Sequence, residues 1–287
     1  MDYLNRRTFV KSIAAAGLAG MSGSFNALAA ASNINVMGKL NNISLQLYTV
    51  RSLMRENVEL TVADVAKIGY SQVEFAGYYD RSASEIKNML DENGLTSPST
   101  HVDLNMVQGD NLKALIEFSH TVGHKYLIVP FLQPEERETI DQYKKLTESF
   151  NRIGEECKKA GLKLAYHNHE FEFKATDGVV PMDIMLNESD ADLFNIQMDL
   201  YWAIDAGINP VGYFKRYPGR FPLCHVKDMT GDGRMVDVGS GAVDFAKIFA
   251  HSELAGLEHY VVEHDQPENP LESVTNSFKA LRDMTVG

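Results

Sequence analysis

Polar residues close one short apolar run after another along this chain, at intervals that leave few folds open. Glu74 closes Val73-Glu74-Phe75, and His101 closes the run Ser99 to Asp103. His167 and His169 lie in Leu164-Ala165-Tyr166-His167-Asn168-His169, which leads into Glu170-Phe171-Glu172-Phe173. Asp199 closes Asn195-Ile196-Gln197-Met198-Asp199, His225 sits in Cys224-His225-Val226-Lys227-Asp228, and Glu263 ends Tyr260-Val261-Val262-Glu263. From Glu74 to His101 is 27 positions, from Glu172 to Asp199 another 27, then 26 to His225 and 38 to Glu263. Each step matches one strand-plus-helix unit. A closed barrel of such units brings all these side chains to one rim, at the carboxyl ends of the strands, where such barrels do their chemistry.

The rest of the chain keeps the rhythm. Strands are expected at Ile43 to Tyr48, Ser71 to Ala76, Pro98 to Leu104, Tyr126 to Phe131, Leu162 to His169, Leu193 to Leu200, Leu223 to Lys227 and His259 to Glu263. Helical patterns fall between them: Leu60 to Ile68, Ser84 to Glu92, Asn111 to Val122, a long one from Pro134 to Ala160, Pro181 to Leu186, Pro210 to Tyr217, Asp244 to His251 and Pro270 to Arg282. Stops at Gly69, Asn93-Gly94, Gly123 and Gly161 mark their ends. This alternation predicts an α/β fold, a (β/α)8 TIM barrel. A doubly wound open sheet is the alternative, and no G-x-G-x-x-G follows the first strand to support it.

The first residues read as an export signal rather than as fold. Asn5-Arg6-Arg7-Thr8-Phe9-Val10-Lys11 is basic with paired arginines, Ile13 to Gly20 is short and weakly apolar, and Ala27-Leu28-Ala29 is a small-x-small cleavage site. A twin-arginine signal over 1–29, one barrel domain over 30–287 and a periplasmic location are expected. Twin-arginine export carries folded proteins, which suits one that loads a metal beforehand. The net charge of −12 becomes −14 without residues 1–29, since they hold three basic side chains and one acidic. Such a field repels phosphate backbones, so nucleic acid is a poor partner. No stretch is apolar enough to predict stable membrane insertion. Cys157 and Cys224 read as two ordinary buried thiols.

The fifth strand carries the sharpest signal. His167 and His169 are two apart and share a face of an extended segment. Beside them stand Glu170 and Glu172; Glu172 is the first choice as a metal ligand and His169 the next. With Asp199, His225 and Glu263, Glu172 makes a site of one nitrogen and three carboxylates. That set favours Mn²⁺ or Mg²⁺, with Zn²⁺ or Co²⁺ also compatible. Such an ion holds adjacent sugar oxygens while carboxylates remove and return a proton. Lys227, on the face of His225, reads as a cation that binds or polarises a carbonyl.

These residues resemble the sugar phosphate isomerase/epimerase family, the xylose-isomerase-like barrels. The resemblance runs from Gln46-Leu47-Tyr48-Thr49-Val50-Arg51 to Glu263-His264-Asp265 and includes Val73-Glu74-Phe75, Tyr166 to Phe173, Met198-Asp199, His225-Val226-Lys227-Asp228 and Val238-Gly239-Ser240-Gly241. It implies metal ligands at Glu172, Asp199, His225 and Glu263. Catalytic residues are expected among His101, His167, His169, Glu172, Glu263 and Lys227, and substrate contacts at Gln46, Glu74, His101 and Lys227. Ketose epimerases of the family hold a glutamate inside the fifth strand, where this chain has His167. The histidine-rich strand resembles instead a branch acting on inososes and 3-keto-glycosides, in which a keto-sugar loses a proton beside its carbonyl and then eliminates water or an alcohol. The expected partner is a small sugar or keto-sugar, with room for a homo-oligomer, and the expected activity is that of an isomerase or epimerase, or alternatively a lyase. A non-catalytic sugar-binding protein is the reading from another class. A nuclease on the same barrel fits poorly with so acidic a chain. Gly239-Ser240-Gly241 reads as a tight turn rather than as a phosphate nest, so an unphosphorylated sugar is favoured.

Overall fold

Eight parallel strands close into a barrel in chain order, with the last pairing the first. They are β1 (Ile43–Gln46), β2 (Gln72–Ala76), β3 (Thr96–His101), β4 (Tyr126–Val129), β5 (Lys163–His167), β6 (Phe194–Asp199), β7 (Leu223–Val226) and β8 (His259–Val262). The computed structural model describes residues 38–286; the expected export signal, with Ala27-Leu28-Ala29, lies outside the described residues. No helix among the described residues is long and apolar enough to cross a membrane.

Local chemistry sets the helices between the strands. α1 (Val58–Ile68) starts where Asn57 Oδ1 accepts from Leu60 N and stops at Gly69, whose φ of 120° suits glycine. α2 (Ala83–Glu92) opens on a capping box of Ser82 and Glu85. α3 (Gly109–Val122), α4 (Ile140–Lys159), α5 (Pro181–Glu188), α6 (Pro210–Arg216), α7 (Phe245–Phe249) and α8 (Pro270–Asp283) complete the ring.

Strand parity sorts the core into two parts. On β4, Leu127 and Val129 join the large apolar cluster beneath the helices, while Tyr126 and Ile128 join a small separate cluster with Ala165 and Leu223. Side chains alternate along a strand, so His167 shares the inner face with Ala165, and His225 with Leu223. The barrel interior is therefore apolar at one level and polar at the next, toward the carboxyl ends.

Several expected boundaries shift, three of them for a local reason that the side chains supply. β5 ends at His167, not His169. Asn168 Oδ1 accepts from Asp199 N (3.0 Å) and its Nδ2 donates to Asp199 O (3.3 Å), so a side chain takes over the pairing with β6. The helix expected from Pro134 divides into a turn at Pro134–Glu136 and α4, because Thr139 and Gln142 form a new capping box. A helix at Leu200–Asp205 follows β6 directly, capped by Asp199 Oδ1 accepting from Trp202 N at 2.9 Å. The expected helix from Asp244 to His251 is α7 and a separate turn of helix at Ser252–Ala255.

One glycine is a packing requirement. A Cβ on Gly154 of α4 would stand 2.2 Å from Leu193 O, which is backbone and cannot give way cheaply. Gly154→Ala is expected to destabilise the fold by about 1–3 kcal/mol, the usual range for overpacking. Thermal denaturation checks this, and an unchanged midpoint would mean that α4 can shift freely.

Candidate active site

The deepest member of the polar layer is Glu74 on β2, fully buried. Gln46 Nε2 donates to its Oε1 (2.8 Å), and Ser99 Oγ (2.5 Å) and Gln197 Nε2 (2.7 Å) donate to Oε2. His225 Nε2 lies 2.7 Å and His101 Nε2 3.0 Å from Oε1. Burial alone would raise this carboxyl, but the His101 and His225 imidazoles outweigh it and hold it well below the usual carboxylate range.

His101 ends β3. Its Nε2 also lies 2.7 Å from Gln197 Oε1. Gln197 is oriented by its own donation to Glu74, so Nε2 of His101 faces two acceptors. This network assigns the proton to Nε2 and leaves Nδ1 as a lone pair. His225 is held at both nitrogens, with Nδ1 2.7 Å from Glu263 Oε2. Burial would lower it, yet the Glu263 and Glu74 carboxylates push it up to about 9.

Lys227 lies two residues beyond His225. Its ammonium stands 2.6 Å from Glu263 Oε2, 2.8 Å from Asp265 Oδ1 and 3.0 Å from Asp199 Oδ2. Burial would lower its pKa, and the three carboxylates hold it far above the ordinary value instead. The side chain therefore remains a cation. Asp199 spends Oδ1 on its helix cap, and its buried Oδ2 has no hydrogen-bond partner; the lysine contact is an ion pair without hydrogen-bond geometry. His167 Nε2 is 3.6 Å from that oxygen, and its Nδ1 is buried without a partner. Burial, followed by the neighbouring His225, pushes His167 well below its ordinary value, so it is a neutral imidazole.

His167, Asp199, His225 and Glu263 each offer one ligand atom, all within 4.8 Å of one another. The donor set fits a divalent ion on three counts. His167 is neutral, and neither its Nδ1 nor Asp199 Oδ2 has a hydrogen-bond partner, so both residues have donor atoms to offer. Three fully or nearly buried carboxylates, Glu74, Asp199 and Glu263, outnumber the cations among them, Lys227 and protonated His225, and a divalent ion that displaced the His225 proton would balance them. Two imidazoles with two carboxylates also suit a first-row metal better than Mg²⁺.

Glu172 stands outside this group, where sequence reasoning had put it inside. The chain after β5 turns back through Phe171–Phe173, so the buried carboxyl accepts from Tyr166 Oη (2.5 Å) and from His169 N (2.8 Å). It holds the turn that presents His169. Burial outweighs those two hydrogen bonds and pushes Glu172 up to about 8. A folded-state pKa above the unfolded value of about 4.5 favours the fold at low pH, and that contribution fades as pH rises toward 8. Glu172→Gln is therefore expected to gain stability relative to the parent between pH 5 and pH 9. Melting midpoints of both proteins across that range check it, and a constant difference would exclude the shift.

A cavity of about 620 Å³ opens above the cluster. His101, His167, His169, Lys227 and Glu263 line it. Gln46 and Glu74 do not: they lie beneath it, so their position is one of support for His101 and His225 rather than of contact with a substrate. His169 stacks on Phe171, and burial drives it down to about 3, so it too is neutral. Gly239-Ser240-Gly241 does form an anion nest, but the anion is the chain's own. Gly239 N (2.9 Å) and Gly241 N (3.0 Å) donate to Asp228 Oδ2. A Cβ on Gly241 would meet Asp228 Oδ1 at 2.2 Å, which explains the glycine. Gln197, Ser99 and Asn168 were not singled out in the sequence. A polar residue between Ile196 and Met198, in step with Asp199, was the available sign for Gln197.

A family model described as "Xylose isomerase-like TIM barrel" matches residues 62–284. The chain belongs to the xylose isomerase-like TIM barrels. Among curated members, it is 24% identical to an inosose dehydratase of Geobacillus kaustophilus over 228 residues, 66% of this chain and 73% of that one. Among solved structures, a sugar phosphate isomerase/epimerase from Parabacteroides distasonis superposes with a TM-score of 0.71 at 27% identity, covering 85% of this chain and 95% of that chain. The IolI protein, solved with a zinc atom bound, superposes with a TM-score of 0.67 at 17% identity, covering 84% and 96%; at that identity the likeness is one of fold. The dehydratase and the isomerase/epimerase are named for reactions on sugars or sugar-like small molecules.

Proposed function

We propose that the protein is a carbon–oxygen lyase that removes a proton beside the carbonyl of a keto-sugar and expels the oxygen substituent one carbon further on. The observation that carries this reading is His101, an imidazole on the cavity wall whose Nε2 is backed by the Glu74 carboxylate. That arrangement orients a ring and makes its other nitrogen a base. Nδ1 of His101 takes the proton from the carbon, the electron pair forms the carbon–carbon double bond, and the carbon–oxygen bond breaks. The same imidazolium returns its proton to the departing oxygen, so water or an alcohol leaves and no redox partner is needed. Lys227, a fixed cation on the same wall, stabilises the negative charge that develops on the carbonyl oxygen.

His167, Asp199, His225 and Glu263 would hold a divalent ion, with Mn²⁺, Zn²⁺ and Co²⁺ all suited to two imidazoles and two carboxylates. Such an ion supplies further electrostatic stabilisation at the substrate oxygens. The inosose dehydratase relative supports an elimination, and the zinc found in IolI supports a metal. Isomerisation or epimerisation is the second reading, favoured by His169. Its ring and that of His101 flank His167, each with its centroid 5.1 Å away, and two bases on opposite faces of one carbon would epimerise it. The paired arginines support export, which fractionation of Arg6→Lys and Arg7→Lys variants tests.

Incubation with inososes and keto-glycosides in heavy water, with metal present and after chelation, tests the chemistry. Metal-dependent deuterium uptake with release of water or alcohol is the expected result. Uptake with an epimeric product and no release selects the second reading. Binding without exchange in any ligand would leave a sugar-binding protein.

A further inference from the structure

The cavity is chemically two-sided. Its polar wall comes from β5, β7 and β8 and the loops after them, with His167, His169, Lys227, Glu263, Asp265 and Gln266. The opposite wall comes from the loops after β2, β3 and β4 and reaches α3: Tyr78, Val102, Met106, Leu115, Pro130 and Phe131. His101 stands at the seam. Tyr78 adds only its ring to this wall, because its hydroxyl bonds Thr100 Oγ1 and faces His124 Nε2, both at 2.9 Å. Asp103, exposed, is the one carboxylate on that side. Met106 is 38% exposed and Tyr48, at the mouth, 42%; two of the five large apolar side chains left exposed among the described residues border this one cavity. Water gains nothing from such a wall, and covering it is favourable.

We propose that this apolar arm binds the aglycone of a keto-glycoside, so that the substrate is a keto-sugar joined through oxygen to an aromatic or alkyl group. The inference rests on the lyase reading and specifies its leaving group: the bond that breaks joins the sugar carbon to the aglycone oxygen, and the proton returned by His101 makes the free alcohol. A second sugar suits the arm poorly, since sugar hydroxyls lose their water there and find few partners. The volume agrees, because clefts of about 300–1,000 Å³ enclose molecules well above monosaccharide size.

The test uses the full chain with metal and three substrates of one keto-sugar: its methyl glycoside, its phenyl glycoside and a keto-disaccharide. Titration calorimetry and initial rates are read on each. The expected result is at least about tenfold tighter binding and higher kcat/KM for the phenyl glycoside than for the methyl glycoside, worth about 1.4 kcal/mol. Met106→Asp, on an exposed side chain and so without threat to folding, is expected to reduce that phenyl-to-methyl ratio. Equal affinity for phenyl and methyl glycosides, or preference for the disaccharide, overturns the inference. A phenyl preference in binding that survives without turnover supports the arm and overturns the lyase reading alone.

Discussion

Lys227→Met is expected to bind a divalent ion more tightly than the parent protein and to turn over substrate about 10²–10³-fold more slowly. Three carboxylates now share the ammonium of Lys227, and two of them, Asp199 and Glu263, belong to the group that would hold the ion. The ammonium both neutralises and competes. Removing it relieves cation–cation repulsion across a few ångströms in a poorly hydrated site, which is worth at least about tenfold in affinity at an effective dielectric constant near 20. Activity falls because one preformed charge opposite the developing oxyanion is gone, at the magnitude usual for one such group. Without metal the variant leaves buried carboxylates unpaired, a loss of about 3–5 kcal/mol that metal should largely restore. Competition with a metal-sensitive dye and melting curves with and without the ion read both effects. Weaker metal binding by the variant would show that the lysine supports the ion rather than opposing it.

Asp199→Asn and His167→Ala are expected to lose the ion, and Glu172→Gln to keep it. Metal content per chain, measured after dialysis against a trace of free ion, should fall from about one to near zero in the first two, since losing a ligand costs more than the 10–100-fold loss seen when only a supporting group is removed. Glu172→Gln preserves an acceptor for Tyr166 and sits outside the cluster. Asparagine retains the cap on Trp202, so metal loss in Asp199→Asn is not a folding defect. If Glu172→Gln loses the ion while His167→Ala retains it, the ligand set expected from sequence is the correct one.

The barrel was legible because its period is coarse: eight runs of strand length at regular spacing survive errors of two or three residues at each end. Asp199, His225, Glu263, His101 and Lys227 were legible for a related reason, since strand ends of a closed barrel must converge. Direction after the strand was not legible. Nothing in Glu170-Phe171-Glu172-Phe173 announces that the chain folds back and carries Glu172 under Tyr166. Likewise the sequence carries the strand to Leu200 and announces no helix after it, whereas Asp199 caps one there at Leu200–Asp205. Burial depth was hidden too. The family resemblance makes Gln46 and Glu74 substrate contacts, whereas the pairing of Gln46 with Glu74 and of Glu74 with Ser99 sets them one level below the cavity.

Asp199 carries a double duty with a consequence for how this site can change. One oxygen starts the helix after β6 and the other faces the cluster. Among side chains that can start a helix in this way, asparagine, serine and threonine lack the charge, and glutamate is one carbon too long to do both. That corner is locked to aspartate by the fold itself. His167 bears no such duty: it ends its strand, its Nδ1 has no hydrogen-bond partner, and Asn168 beside it does the structural work. Substitution can alter the chemistry of this barrel at His167 while leaving its architecture alone, which makes that single strand end the natural place for one scaffold to diverge into several catalysts.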